Sequence, residues 1–166
     1  TLVGYRAGYE LQTVSGLTAI GYQAAYDATG SVAGTFVGYN SGRYSTTANS
    51  STALGYESLK DNTTGGYSTA LGCRALTNAV SSRYCTAVGS DALSVATQPL
   101  SCIALGYNAG SAWTNNESTN IAIGHTGTAA TSYRINIGVN GTHTSCFIGG
   151  INGVTPANPA VVLINT

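Results

Sequence analysis

The stretch TALGYESLKDNTTGGYSTALGCRA, residues 52–75, contains one motif twice, as TALGY at 52–56 and as TALGC at 69–73. The motif continues in both directions, and successive glycines are 17 residues apart at Gly4, Gly21, Gly38, Gly55, Gly72, Gly89 and Gly106. Glycine occupies 22 of the 166 positions, so six successive hits at a preset spacing have a chance probability on the order of one in 10⁵. The chain is therefore a repeat protein.

The spacing changes after the seventh unit. The next glycines, Gly124, Gly138 and Gly149, follow after 18, 14 and 11 residues, and Trp113 lies inside the longer interval. These shorter units predict a tapering, less regular structure at the C-terminal end. We expect two regions, a solenoid over residues 1–125 and an irregular β cap over residues 126–166.

Positions around each glycine indicate a short β-strand. The residue before glycine is aliphatic, the one before that is mostly alanine, and threonine precedes them in five units, at Thr18, Thr35, Thr52, Thr69 and Thr86. The motif is too short and too rich in β-formers for a helix, and Ser, Thr, Asn and Gly fill the intervals as turn formers. Each unit is predicted to form a strand, a turn and a second, weaker strand.

Units of this kind stacked in parallel place equivalent residues about 4.8 Å apart and turn each column into a ladder. The sequence therefore predicts an all-β fold, a parallel β-solenoid of the β-helix or β-roll type. A polar column lies two residues after glycine, where Glu57, Arg74 and Asp91 alternate in sign on successive coils. Such pairs contribute about 0.2–1 kcal/mol each, so they help to fix the register.

The units TAIGYQA from Thr18, TALGYES from Thr52 and TALGCRA from Thr69 resemble the head repeats of trimeric autotransporter adhesins. They resemble more closely the Gly-Tyr repeats of phage and giant-virus tail-fibre proteins. The segment RINIGVNGTHTSCFIGGINGVT, residues 134–155, is similar to the segment that precedes a self-cleaving chaperone of the endosialidase type in many tail-fibre proteins. The resemblance implies a homotrimer of β-solenoids on a virion or cell surface, with a binding or spacer role.

Alternation along the strand also favours a trimer. It sends the aliphatic and tyrosine side chains to one side and alanine and glycine to the other, and neither side is charged. One side fills the coil and the other needs a partner. We expect the alanine column to line a threefold interface, or the tyrosine column if the faces are reversed; the interface candidates are Ala19, Ala53, Ala70, Ala87 and Ala104, and Tyr22, Tyr39 and Tyr56.

The tyrosine column also invites a carbohydrate-binding interpretation, because flat amphipathic rings stack on sugars. A ladder of stacked rings, in the core or between subunits, is the favoured interpretation, since each tyrosine shares strand parity with the aliphatic residue.

Residues that could carry chemistry are few and scattered. No CxxC pair occurs and the two histidines, His125 and His143, are not spaced as a metal set, so no metal or cofactor is predicted. The six acidic residues fall in different loops, and His143 and Cys146 lack an orienting acid, so no catalytic residue is predicted and the chain is not expected to be an enzyme.

Cys85 and Cys102 are 17 residues apart and therefore belong to the same column of adjacent coils. They could form a disulfide if the backbone geometry permits one, and buried free thiols are the other interpretation.

Four N-glycosylation sequons lie in predicted loops, at Asn49, Asn62, Asn116 and Asn140. Chance alone accounts for that number in a chain rich in Asn, Ser and Thr.

Six basic and six acidic residues balance without clustering, so neither a nucleic acid nor a membrane surface is an expected partner. The expected partners are other copies of the chain, as a homotrimer or an end-to-end filament, and a host surface receptor or glycan.

The lack of methionine and the start within a motif indicate a piece of a longer protein. We expect a structural or surface-binding segment of an extracellular or viral fibre, with a polysaccharide-binding or polysaccharide-cleaving domain and a self-assembling filament as the alternatives.

Overall fold

The computed structural model describes residues 1–13, 15–30, 33–47 and 50–139, and Thr142. Among them are nine short strands: β1 (Leu2–Val3), β2 (Thr18–Ile20), β3 (Thr35–Val37), β4 (Thr52–Leu54), β5 (Thr69–Leu71), β6 (Thr86–Val88), β7 (Ile103–Leu105), β8 (Ile121–Ile123) and β9 (Ile135–Ile137). All nine pair in sequence order into one parallel sheet. The chain is a parallel β-solenoid of about eight turns, as the 17-residue period predicts.

Neighbouring strands pair in the register that the 17-residue repeat predicts. Thr52 pairs with Thr69, and Leu54 pairs with Leu71, so each residue lies beside its equivalent one unit later. The turns are bonded from coil to coil in the same way, because Leu59 N donates to Ala75 O at 2.9 Å. Each coil therefore satisfies its backbone groups through its two neighbours, inside and outside the sheet.

The repeated glycine is required by the backbone. Gly72 has a φ of +134°, and a Cβ built on it would lie 2.5 Å from the carbonyl oxygen of Gly89 on the next coil. The same clash with the next glycine occurs at Gly38 and Gly55. Only glycine allows the coils to approach this closely where each strand ends, which explains why the period was visible in the sequence.

The orientation of the strand is the reverse of the one we expected first. The alanines at 19, 53, 70, 87 and 104 are fully buried inside the solenoid and cannot line an interface between copies. Leu59, Leu76 and Leu93 are also fully buried, and they approach the alanine column from the turn that follows each strand. A narrow coil has room for alanine facing leucine, so the larger aliphatic and tyrosine side chains lie outside.

The third coil keeps this volume with different residues. Phe36 replaces alanine in the inward column and is fully buried. A Cβ on either Gly34 or Gly42 would overlap the Phe36 ring, and Gly42 occupies the leucine column. One large residue and two glycines thus fill the space that alanine, serine and leucine fill in the next coil, where Ser51, Ala53 and Leu59 are also buried.

The second, weaker strand occurs only as isolated parallel bridges, which join Gly66 to Arg83, Arg83 to Leu100 and Leu100 to Ser118. At the C-terminal end β9 adds one more strand to the sheet, beyond the boundary near Thr126 that we expected. Most of the cap predicted for residues 126–166 lies outside the described residues.

Candidate interaction surface

The outward side of the sheet is apolar and uncharged. In each strand from β2 to β9 the first and third residues lie on the side opposite to the second residue, which is buried in β2 to β8 and half-buried in β9, and the third is always Ile, Val or Leu. Leu54 and Leu71 are 46% and 41% exposed in the central coils. The nine strands of the described chain contain no charged residue. Charges normally protect an exposed sheet from association, so this surface, the sheet face, is a candidate for contact with a partner.

A ladder of tyrosines borders the sheet face in the first four coils, one residue past the repeated glycine. The ring centroids of Tyr5, Tyr22, Tyr39 and Tyr56 are 4.9–5.3 Å apart on successive coils, and the planes differ by 7–17°. The predicted stacking is present, but the rings are about half exposed on the outside of the solenoid. A place for the ladder in the monomer core, which was one of the two expected, is therefore wrong.

Stacking changes what the tyrosine ladder can bind. A sugar packs its C–H groups against the flat face of an aromatic ring. In the middle of the ladder both faces of Tyr22 and Tyr39 are already covered by neighbouring rings. These rings offer edges and hydroxyl groups to a partner, which suits contact with another protein surface better than stacking on a sugar.

A second, shorter ladder includes Tyr9 and Tyr26, whose centroids are 5.3 Å apart. The Arg6 guanidinium lies 5.2 Å from the centroid of Tyr5 and 5.1 Å from that of Tyr9, so it joins the two ladders. Arg43 lies 5.7 Å from the centroid of Tyr26 and 5.0 Å from that of Tyr44. Cation–π contacts of this kind contribute about 0.5–1 kcal/mol each at exposed sites. These contacts were not predicted, because only the tyrosines next to glycine share a column with the repeated motif.

Cys85 and Cys102 lie in one column of adjacent coils, just before the paired residues Thr86 and Ile103, as the register predicts. Both are buried free thiols in the structure. Their sulfurs also contact backbone carbonyl groups, with Cys85 Sγ 3.4 Å from Pro99 O and Cys102 Sγ 3.4 Å from Glu117 O. The hydrogen bond to Cys102, together with burial, raises the pKa of the Cys85 thiol, so Cys85 is a poor nucleophile at neutral pH.

Two of the acidic side chains, Asp91 and Glu57, form ion pairs. Arg74 donates to both carboxylate oxygens of Asp91 on the next coil, at 2.7 and 3.0 Å, in the ladder that the charge alternation predicts. Glu57 pairs instead with Lys60 of its own coil, at 3.7 Å. Among the described residues no three His, Cys, Asp or Glu side chains converge on a point where they could hold a metal ion.

The four sequons differ in whether the structure describes them and in how exposed their asparagines are. Asn62 is fully buried and its Oδ1 accepts a hydrogen bond from Ser82 N at 3.2 Å, so no oligosaccharide fits there. Asn116 is exposed on the loop of the 18-residue coil. Asn49 and Asn140 lie outside the described residues, as do His143 and Cys146.

Glu117 holds the loop that contains the extra residue. Its carboxylate accepts hydrogen bonds from the backbone N–H of Thr114 at 3.3 Å, of Asn115 at 2.8 Å and of Ala130 on the next coil at 3.2 Å. Burial alone would raise the pKa of Glu117, but these donors stabilise the carboxylate and the pKa is lowered overall. The carboxylate replaces the regular coil-to-coil bonds where the period is broken.

We expect Glu117→Gln to lower the free energy of unfolding by about 1–2 kcal/mol at pH 7, because a charged acceptor is lost. The folded-state pKa lies below the ordinary value of 4.5. The stabilisation is therefore complete above about pH 4.5 and is lost as the pH falls through the folded-state pKa. Urea unfolding at pH 7 and pH 3 measures this change. The exposed Glu10→Gln is the control, and an equal effect of Glu117→Gln at both pH values would contradict the assignment.

No helix among the described residues is long and apolar enough to span a bilayer. Comparison of the chain with protein-family models, with curated proteins and with solved structures gave no match. The inferences about function accordingly depend on the surface described above and on the sequence resemblance.

Proposed function

We propose that this chain is a non-enzymatic structural segment of a fibre or adhesin on a virion or cell surface, in which three copies pack through the sheet face and the tyrosine ladder. One observation carries the proposal: an uncharged column of exposed and half-buried aliphatic side chains that runs along all nine strands. Water-exposed apolar surface of this extent and continuity is typical of a contact site between proteins.

The sheet face alone is smaller than the surface that a stable interface commonly requires. Nine strands about 4.8 Å apart give a length of about 40 Å, and three residues per strand give a width of about 10 Å. The resulting area of about 400 Å² is half of the roughly 800 Å² that each partner commonly contributes to a stable interface. The tyrosine ladder adds further surface of the composition that interfaces favour, so the two together approach the required area.

The absence of charge determines which partner fits. A surface of threonine, aliphatic and tyrosine side chains neither attracts nor repels an identical surface electrostatically, so a second copy of the same face is compatible with it. The resemblance to trimeric fibre proteins favours three copies. A rigid solenoid joined to two others along its length would serve as a shaft or head segment that carries or spaces binding regions.

The native mass in solution tests the proposal. We expect light scattering to give three times the 16.8 kDa of one chain for the wild type. Leu54→Glu with Leu71→Glu should give the monomer mass, because two carboxylates cannot be buried at an apolar contact without a large cost. Both positions are exposed within one chain, so the variant should keep the wild-type circular dichroism.

Val80→Glu with Val95→Glu is the matched control, since both valines are 43% exposed and lie outside the strands. This variant should remain trimeric. A monomeric wild type would overturn the proposal, as would a filament of much larger mass or a trimer that only the valine variant dissociates.

A further inference from the structure

A cleft on another side of the solenoid has features that the trimer does not use. It lies at the isolated bridge between Gly66 and Arg83, outside the nine-stranded sheet. Its lining residues are Thr64, Gly65, Gly66, Tyr67, Arg83 and Tyr84. Two aromatic rings, a guanidinium and a hydroxyl group thus meet in one open depression, and no carboxylate is among the lining residues.

Tyr67 and Tyr84 form a stack of two rings, with centroids 5.5 Å apart and planes 11° from parallel. In the long tyrosine ladder the middle rings of Tyr22 and Tyr39 are 41% and 44% exposed, and the end rings of Tyr5 and Tyr56 are 59% and 50% exposed. Tyr67 and Tyr84 are 57% and 60% exposed, which matches a ring with one covered face. Each ring of the pair therefore has its other face free.

The residues next in the same column explain why the stack stops at two rings. Ser50 precedes Tyr67 by one coil and Ser101 follows Tyr84 by one coil. A serine side chain is too short to cover a tyrosine ring. The free faces are consequently open to any ligand with a flat apolar side.

Arg83 gives the cleft an unneutralised charge. Arg74 pairs with Asp91, and Arg6 and Arg43 lie over tyrosine rings, but the exposed Arg83 side chain makes no ion pair or ring contact with a described residue. Its planar group of donors matches a carboxylate in a two-point hydrogen bond. Arg83 and Tyr84 both line the cleft, so the cation and an aromatic ring belong to the same depression.

We propose that this cleft binds a carboxylate-bearing saccharide of the uronic acid class. The carboxylate pairs with Arg83, the C–H face of the pyranose ring packs on Tyr84 or Tyr67, and Thr64, an exposed residue of the cleft lining, can donate a hydrogen bond to a sugar hydroxyl. A uronate combines the three properties that the cleft presents together: one negative charge, an apolar ring face and several hydroxyl groups. The inference is independent of the trimer, because the cleft lies outside the sheet face.

Titration calorimetry with tri-galacturonic acid, and with neutral maltotriose for comparison, tests the site. We expect saturable binding of the uronate by the wild type below about 10 mM, and affinity for it at least about tenfold above that for maltotriose. Arg83→Gln should remove this preference and its salt dependence, and Tyr84→Leu should weaken binding of both sugars. Leucine is compatible with the positive φ at Tyr84, because Leu59 and Leu76 have the same backbone conformation.

Arg134→Gln and Tyr133→Leu are the matched controls, since they alter an exposed arginine and an exposed tyrosine outside the cleft. Both should bind as the wild type does. No saturable binding of the uronate by the wild type, or equal affinity after Arg83→Gln, would overturn the proposal. The mass of each variant, measured in parallel, shows whether the trimer is unaffected and so separates failure of the site from failure of the assembly.

Discussion

Gly72→Ala is expected to reduce the free energy of unfolding by about 4 kcal/mol, from backbone strain and a forced separation of two coils. Gly72 has a φ of +134°, which L residues rarely adopt, and the new Cβ would lie 2.5 Å from the carbonyl oxygen of Gly89. Backbone atoms cannot rotate aside as a flexible side chain can. The coil-to-coil hydrogen bonds on either side of Gly72 must lengthen to make room. Thermal and denaturant unfolding of the purified variant measure the loss.

Gly124→Ala is the matched control, because Gly124 also has a positive φ, +58°, but a Cβ there would meet nothing within 4 Å. Its cost should be only the left-handed backbone penalty of about 1–2 kcal/mol. Similar losses for the two variants would show that strain at φ, and not the approach of the coils, is what requires glycine.

The second large effect is that two destabilising substitutions in the third coil, Phe36→Ala and Gly42→Leu, compensate for each other when they are combined. Phe36→Ala should cost about 3–5 kcal/mol, because it leaves a cavity beside two glycines. Gly42→Leu should cost at least about 1–3 kcal/mol, because the new side chain overlaps the Phe36 ring. The double variant has alanine facing leucine, as Ala53 and Leu59 do in the next coil, and should be more stable than either single variant.

A double-mutant cycle by urea unfolding gives the coupling between Phe36 and Gly42, which we expect to be about 3 kcal/mol in favour of the double variant. Phe36→Ala combined with Gly124→Ala is the control, since these residues lie five coils apart and their effects should add. Additive losses at Phe36 and Gly42 would contradict the assignment of facing columns.

The period, the strand position and the parallel register could all be predicted from the sequence, and each has a physical reason to be visible there. Glycine recurs because the backbone of Gly38, Gly55 and Gly72 excludes every other residue. A strict constraint at one position per coil gives an unbroken signal, and the register then follows because equivalent residues stack.

The inward and outward sides of the strand could not be assigned in the same way. Alternation shows that Ala70 and Leu71 point in opposite directions, but hydrophobicity alone assigns leucine to the interior. The deciding fact is the room left by Leu76, which enters the core from the following turn and leaves space only for alanine. The strand that contains Ala70 and the turn that contains Leu76 meet in the core only because of the conformation of the turn, which the sequence pattern does not show.

The cleft residues were not predicted from the sequence either. Tyr67 and Tyr84 are 17 residues apart, and so are Gly66 and Arg83, but the 17-residue spacing groups only two tyrosines in one column and one arginine in the other. A signal of two members does not stand out from a composition that includes 11 tyrosines. Spacing from the repeated glycine could have grouped Arg83 with Tyr84, whereas the free ring faces become apparent only from exposure in the folded chain.

The coil-to-coil register described above also determines which changes of length the gene encoding this chain can tolerate. A duplication or deletion of one whole 17-residue unit, such as residues 56–72, returns every later residue to its own column and alters only the length of the rod. An insertion of another size must be accommodated within a turn, as in the coil that ends at Gly124, where Glu117 bonds the extra loop. Unequal recombination between repeats can therefore lengthen or shorten the rod in single-coil steps of about 4.8 Å without changing its cross-section.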